Sequence, residues 1–254
     1  MALTLGMDIP YYATVLGSLA AFLLTYRLLS PWILHRLFPS YYTAQPDSAK
    51  PQLHEATMAA CSSIVVGIWA CSVYFLNDNV KGNLIRYDAP SVRYNCAIFL
   101  GYAMADSSLM AIYPQTGGLL YHIHHAVSLF VGYVGVFYSC FPYHTNIGMM
   151  MELSSPFLNL RCILNDLKYP TKSMSYFWNG AAFLLSFFLV RVVSMGGYWY
   201  NMSLAAREDD FYQLQIPVYI CYLGGGVVFS LLNAYWFSLL CKEAYRVLIE
   251  KKAD

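Results

Sequence analysis

The run YHIHHAVSLFVGYVGVFYSCFPYHTNIGMMMELSSPFLNLR, residues 121–161, decides how the rest of the chain is read. It holds two segments apolar enough for a bilayer, yet it opens on His122, His124 and His125 and closes on Glu152, Pro156, Asn159 and Arg161. Ionisable groups at membrane depth cost free energy unless they pair or face a polar cavity, so this many in one stretch mark a site.

Composition supports the bilayer. Of 254 residues, 58% are hydrophobic and only 11% charged, less than half the usual soluble share of charge. The net charge of +1, with no basic run, excludes a nucleic-acid binder, because phosphate recognition needs clustered Lys and Arg. The seven cysteines contain no Cys-x-x-Cys pair and read as reduced core residues.

Outward from that stretch, runs of about 20 apolar residues predict an all-α polytopic membrane protein with about seven transmembrane helices. They fall near 11–29, 56–77, 94–112, 119–140, 145–165, 176–196 and 216–240. The first lacks the features of a cleavable signal and is read as a true span. Between the first two, Pro31, Pro39, Pro46 and Pro51 predict a surface-lying connection over 30–55. The organisation expected is an N-terminal helix and Pro-rich connection (1–50), a main helical domain (51–250) and a short basic tail (251–254).

With seven spans, the side of the C-terminus carries Arg36, Lys50, Lys168, Lys172, Lys242, Arg246, Lys251 and Lys252. The other side carries Lys81, Arg86, Arg93 and Arg207. This asymmetry predicts a cytoplasmic C-terminus and a lumenal N-terminus. Lys251 and Lys252, fourth and third from the end, resemble a dilysine retrieval signal of the endoplasmic reticulum. The sequon at Asn201 lies close to a span and is expected to go unused.

The candidate site residues are Tyr102, Asp106, His122, His124, His125, Ser128, Glu152, Pro156, Asn159, Arg161 and Arg191. On one helix His122 and His125 lie about 60° apart, whereas His124 points about 100° away from His125. The expectation is therefore that His125 faces the site, with Glu152 from the next antiparallel helix orienting it as a base or nucleophile. Pro156 has no N–H, so the carbonyl of Glu152 is expected to lose its helical donor and open to a side chain or ligand. Asp106 and Arg191 are expected to face the interior and either to pair or to flank an acidic head group. The histidine set does not match that of a membrane di-iron oxygenase, and no metal or other cofactor is expected.

Gly101-Tyr102 through Asp106, the His124-His125 pair and the string from Glu152 to Arg161 resemble the TLC-domain family, which includes the ceramide synthases. The resemblance covers roughly residues 50 to 250. It implies a barrel of helices around a lipid-sized cavity, in an endoplasmic-reticulum membrane protein of lipid homeostasis whose partner is a membrane lipid. The ceramide synthases use their histidine pair in acyl transfer from acyl-CoA, which here makes His125 and Glu152 the candidate catalytic residues of an acyltransferase or lipid hydrolase. Their pair is followed by a His-Asp string, and in this chain Glu152 and Pro156 stand in the region after it. Lipid binding without catalysis is therefore the leading reading, with acyl-CoA-dependent acyl transfer the alternative.

Overall fold

The computed structural model describes residues 8–77, 80, 85–113 and 119–253. Lys81, and the side chains of Lys251 and Lys252 on which the retrieval reading rests, lie outside what is described. In chain order the helices longer than five residues are α1 (Ile9–Leu37), α2 (Lys50–Leu76), α3 (Pro90–Ile112), α4 (Leu119–Phe137), α5 (Pro142–Met150), α6 (Ser155–Asp166), α7 (Met174–Ala205) and α8 (Ile216–Val247, running on to Ala253), with a short helix Pro39–Thr43 between α1 and α2. A 3-10 turn, Met151–Ser154, joins α5 to α6. Among the described residues there is no β-strand, only an isolated bridge between Arg86 and Cys140. The chain is an all-α polytopic membrane protein.

Six of these helices are each long and apolar enough to cross a membrane. The segment expected at 145–165 differs, because α5, the 3-10 turn and α6 form a broken helix. It still runs antiparallel along the whole of α2. Asn146 Nδ2 donates to the carbonyl of Ala70 (2.9 Å), Leu153 lies against Gly67, and Ser63 donates to Glu152 Oε2 (2.9 Å). Ile163 and Leu167 share a buried cluster with Leu53. From Ala70 to Leu53 is about 25 Å at 1.5 Å per residue, close to the ~30 Å of a hydrocarbon core. The chain therefore passes seven times between the two ends of the bundle.

One end gathers Asp8, Asp88 and Arg93. Arg93 donates to Asp8 (2.7 Å), to Asp88 (3.2 Å) and to the carbonyl of Val136 (2.7 Å), and it caps the ring of Tyr11 at 3.9 Å. Arg93 is thus a buried clasp rather than a free loop charge. The opposite end gathers Phe38, Tyr41 and Tyr42, with Tyr42 hydroxyl 2.7 Å from His54 Nε2 and the ring of Tyr169 edge-on to Phe38 and tilted against Tyr41.

The connection expected over 30–55 is shorter, because α1 continues through Pro31 to Leu37 and α2 begins at Lys50. A proline is tolerated in the first turn of a helix, where its missing N–H would have no partner. Pro51 sits in the first turn of α2, and Pro31 follows directly on a π-helical stretch, Thr25–Leu29, that loosens the ladder before it. Two more π stretches interrupt α7 at Phe188–Val193 and α8 at Ile220–Gly225. Asn201 is inside α7, its Nδ2 bonded to the carbonyl of Gly197 (2.9 Å).

The main core draws on α1, α2, α3, α4, α5, α7 and α8. Helix α1 docks on α3 through Gly101, where a Cβ would stand 2.5 Å from the carbonyl oxygen of Val15. Only the absence of a side chain permits that approach.

Candidate functional site

Pro156 shapes the centre of the bundle. Its ring would collide with the carbonyl four residues back, so the chain tightens from α to 3-10 and the Ser155 N–H turns to the carbonyl of Glu152. The carbonyl expected to be open, that of Glu152, is therefore satisfied. The one released is that of Met151, which accepts from Ser154 Oγ (3.1 Å) and from Arg191 Nε (3.2 Å).

Arg191 comes from the π stretch of α7 and is buried. Its Nε also donates to Ser154 Oγ (2.8 Å) and its Nη2 to Ser155 Oγ (3.0 Å), with Glu152 Oε1 at 3.8 Å. Asn233 Nδ2 on α8 donates to the Arg191 carbonyl at 3.4 Å. The guanidinium thus fastens α7 to the 3-10 turn and the start of α6 and its charge faces that of Glu152, while the Arg191 carbonyl holds α8.

Beside this network opens a narrow cavity; the empty space among its lining residues, open solvent beyond the mouth included, is about 640 Å³. Its walls are mostly apolar, from Phe99, Val131, Met149, Met151, Met195 and Phe229. The polar side chains along it include His124, Ser128, His144, Thr145, Glu152, Arg191, Tyr198 and Tyr222. The 3-10 turn and the π stretches of α7 and α8 all border it, as irregular backbone in membranes does where it lines a cavity. Gly225, in the last of these, lets α8 close on Val131 and Val127 of α4.

The histidines take opposite roles from those the helical angles predict. His124 lines the cavity, between the rings of Phe229 (5.5 Å) and Trp236 (5.4 Å), and its Nδ1 has no partner among the described residues. His125 turns away from the cavity, with Nδ1 3.2 Å from Asp106 Oδ2 and its ring 4.4 Å from that of Tyr121. Its carboxylate neighbour is Asp106, and not Glu152, which is engaged by Ser63 and Arg191. His122 is exposed on the outside of α4.

Asp106 has no solvent exposure, and neither oxygen receives an aligned hydrogen bond among the described residues. Glu55 and Tyr102 lie beside it, and Tyr121 beside Glu55. Two carboxyl groups, two phenols and an imidazole thus form a second polar cluster, nearer the Tyr42 end. No group of three or more metal-ligating side chains with suitable spacing occurs among the described residues.

The eleven candidates therefore divide. His124, Ser128, Glu152 and Arg191 meet at the cavity, and Tyr102, Asp106 and His125 meet at the second cluster. Arg161 stacks on Tyr176 at 3.5 Å and donates to its carbonyl (2.8 Å), fastening α6 to α7. Asn159 and Pro156 do not line the cavity. Sequence reasoning missed Glu55, Ser63, His144 and Asn233. Glu55 had been assigned to the connection, and the polar start HEAT, residues 54–57, of an otherwise apolar helix was its available signal.

The sequence relationships agree with this architecture. Residues 52–242 match the model of the TLC domain. TLC domain-containing protein 4-B of Danio rerio is 28% identical over 98% of this chain and 96% of its own length. TLC domain-containing protein 4 of Homo sapiens is 26% identical over 91% and 88%. The domain match covers most of the bundle, including both polar clusters, and the chain belongs to the TLC-domain family.

Proposed function

We propose that the protein holds a membrane lipid in this cavity and acts in lipid homeostasis, as a multi-pass protein of the endoplasmic reticulum with a cytoplasmic C-terminus. The observation that carries the reading is the wall itself. Apolar side chains line most of it, and the unpartnered His124 Nδ1 and the Glu152–Arg191 pair interrupt it at one level. Lipid sites are built this way, with a large apolar surface and a few placed polar groups that fix orientation.

The second reading is acyl transfer from acyl-CoA or lipid hydrolysis, and the His125–Asp106 contact is what favours it. A catalytic imidazole needs both an orienting partner and access to substrate. Here His125 has the first without the cavity, while His124 has the cavity without an orienting partner on Nδ1. That division favours binding.

Mass spectrometry of lipid co-purified with the intact protein tests the reading. His124→Ala is expected to lose most of the lipid, and His125→Ala to keep it. Consumption of acyl-CoA by the purified protein, abolished by His125→Ala, would replace binding with catalysis. Absence of any co-purified lipid from native membranes would refute the binding reading.

A further inference from the structure

His144 is the third residue of α5 and is 1% exposed; its ring stands within reach of the Tyr198 backbone, yet neither nitrogen makes an aligned hydrogen bond among the described residues, and at least one is left over. It lines the same cavity as His124. Around it stand the rings of Tyr198 (4.7 Å), Phe141 (5.1 Å), Tyr143 (5.5 Å) and Tyr222 (6.3 Å). The nearby hydroxyls are committed elsewhere: Tyr198 donates to the carbonyl of Tyr222 (2.6 Å), and Tyr222 is bonded to Thr145 (2.7 Å) and to the carbonyl of Cys140 (3.0 Å).

Leaving a buried polar nitrogen unmatched costs free energy, so something in the cavity is expected to meet the one left over. Water is a poor candidate, because a buried water needs two to four polar partners, the hydroxyls of Thr145, Tyr198 and Tyr222 are already engaged and the rest of the cage is aromatic. A hydroxyl carried by a ligand needs no more than the imidazole, accepting from its N–H or donating to its bare nitrogen.

The opposite pole of the cavity is His124 with Glu152 and Arg191. A Cβ on Gly135 would meet the Thr145 methyl at 3.0 Å, so the start of α5 is level with Gly135 of α4. His124 is eleven residues earlier on α4, about 16 Å along a helix rising 1.5 Å per residue.

We propose that the cavity selects an amphiphile with a hydrogen-bonding group at each end of an apolar body about 16 Å long, its far hydroxyl held by His144. This rests on the lipid-binding reading and adds to it the class of ligand. Two sources share the chemistry: an acyl lipid hydroxylated near the end of its chain, and a sterol hydroxylated on its side chain.

The test uses the full-length protein in phosphatidylcholine nanodiscs and two matched pairs of radiolabelled probes. One pair is monopalmitoylglycerol and its ω-hydroxy analogue, and the other is cholesterol and 25-hydroxycholesterol. In one arm the doubly polar member is expected to bind about tenfold tighter, the worth of one satisfied hydrogen bond, and that arm names the source. His144→Phe keeps a ring in the cage and removes both nitrogens. It should erase the preference, so that the two members of the pair bind the variant equally.

The wild-type comparison needs no variant, and His144→Gln, which retains a donor and an acceptor, should keep part of the preference if His144→Phe does not fold. Equal binding within both pairs would overturn the inference, while the lipid-binding reading would stand. A preference that survives His144→Phe would also overturn it. Failure of every probe to bind, together with absence of co-purified lipid, would take both readings down.

Discussion

Gly101→Ala should be among the more damaging single-methyl changes in this bundle. The added Cβ would stand 2.5 Å from the carbonyl oxygen of Val15, 2.6 Å from Ser18 Cβ and 2.8 Å from the amide nitrogen of Leu19. None of these is the free end of a side chain, so no rotamer change relieves the contact. Restoring 3.4 Å to the Val15 oxygen requires α1 to retreat by 3.4 − 2.5 = 0.9 Å from α3. A gap of 0.5–1 Å forfeits a quarter to a half of each dispersion contact it opens. Overpacking of this kind costs typically 1–3 kcal/mol, offset by up to ~1 kcal/mol from the better helix propensity of alanine. A net loss of about 1–2 kcal/mol is expected. Gly17→Ala, on α1 with nothing within 4 Å, is the control and should be neutral or slightly stabilising. Thermal unfolding in detergent, followed by a thiol-reactive dye reporting on the buried Cys96 and Cys221, measures both. Equal stability of the two variants would refute the close docking of α1 on α3.

Three further outcomes follow from the polar groups. Arg191→Met leaves the half-buried Glu152 without its guanidinium and should lower stability by about 3 kcal/mol in the same dye assay, whereas Arg161→Met, nearer the surface, should cost under about half of that. Glu55→Gln removes one of two adjoining buried carboxyls and should leave stability unchanged or raise it by about 1 kcal/mol; a large loss would mean that the pair is bridged by a cation. Replacing Lys251 and Lys252 with serine should move the protein from the endoplasmic reticulum to later compartments, with protease protection in sealed microsomes reporting the N-terminus lumenal and the C-terminus cytoplasmic.

The helical bundle was legible because bilayer thickness imposes long apolar runs, and no tertiary detail is needed to find them. The prolines were less legible, since Pro31 and Pro156 are the same residue with opposite consequences. One follows a widened turn inside a continuing helix and the other tightens a helix into 3-10. What decides between them is the packing on either side. The angular argument on α4 correctly separated His124 from His125 and then chose the wrong one for the cavity, because helices cover both of those faces. Periodicity tells which residues share a face, not which neighbour that face meets. Glu55 and His144 were missed for a related reason: each stands just inside a helix whose start had been placed too late.

The π stretch at Ile220–Gly225 sets the phase of everything that follows it on α8. Such a stretch is one residue longer than the α turn it replaces. Removing Gly224, which has no close neighbour beyond Ile220, would restore the α pitch and rotate the remainder of α8 by about 100°. Asn233 would then leave the Arg191 carbonyl, and Trp236 would leave His124. Gain or loss of a single codon at this point could thus present the cavity with an entirely different wall, while every side chain on the helix stayed the same.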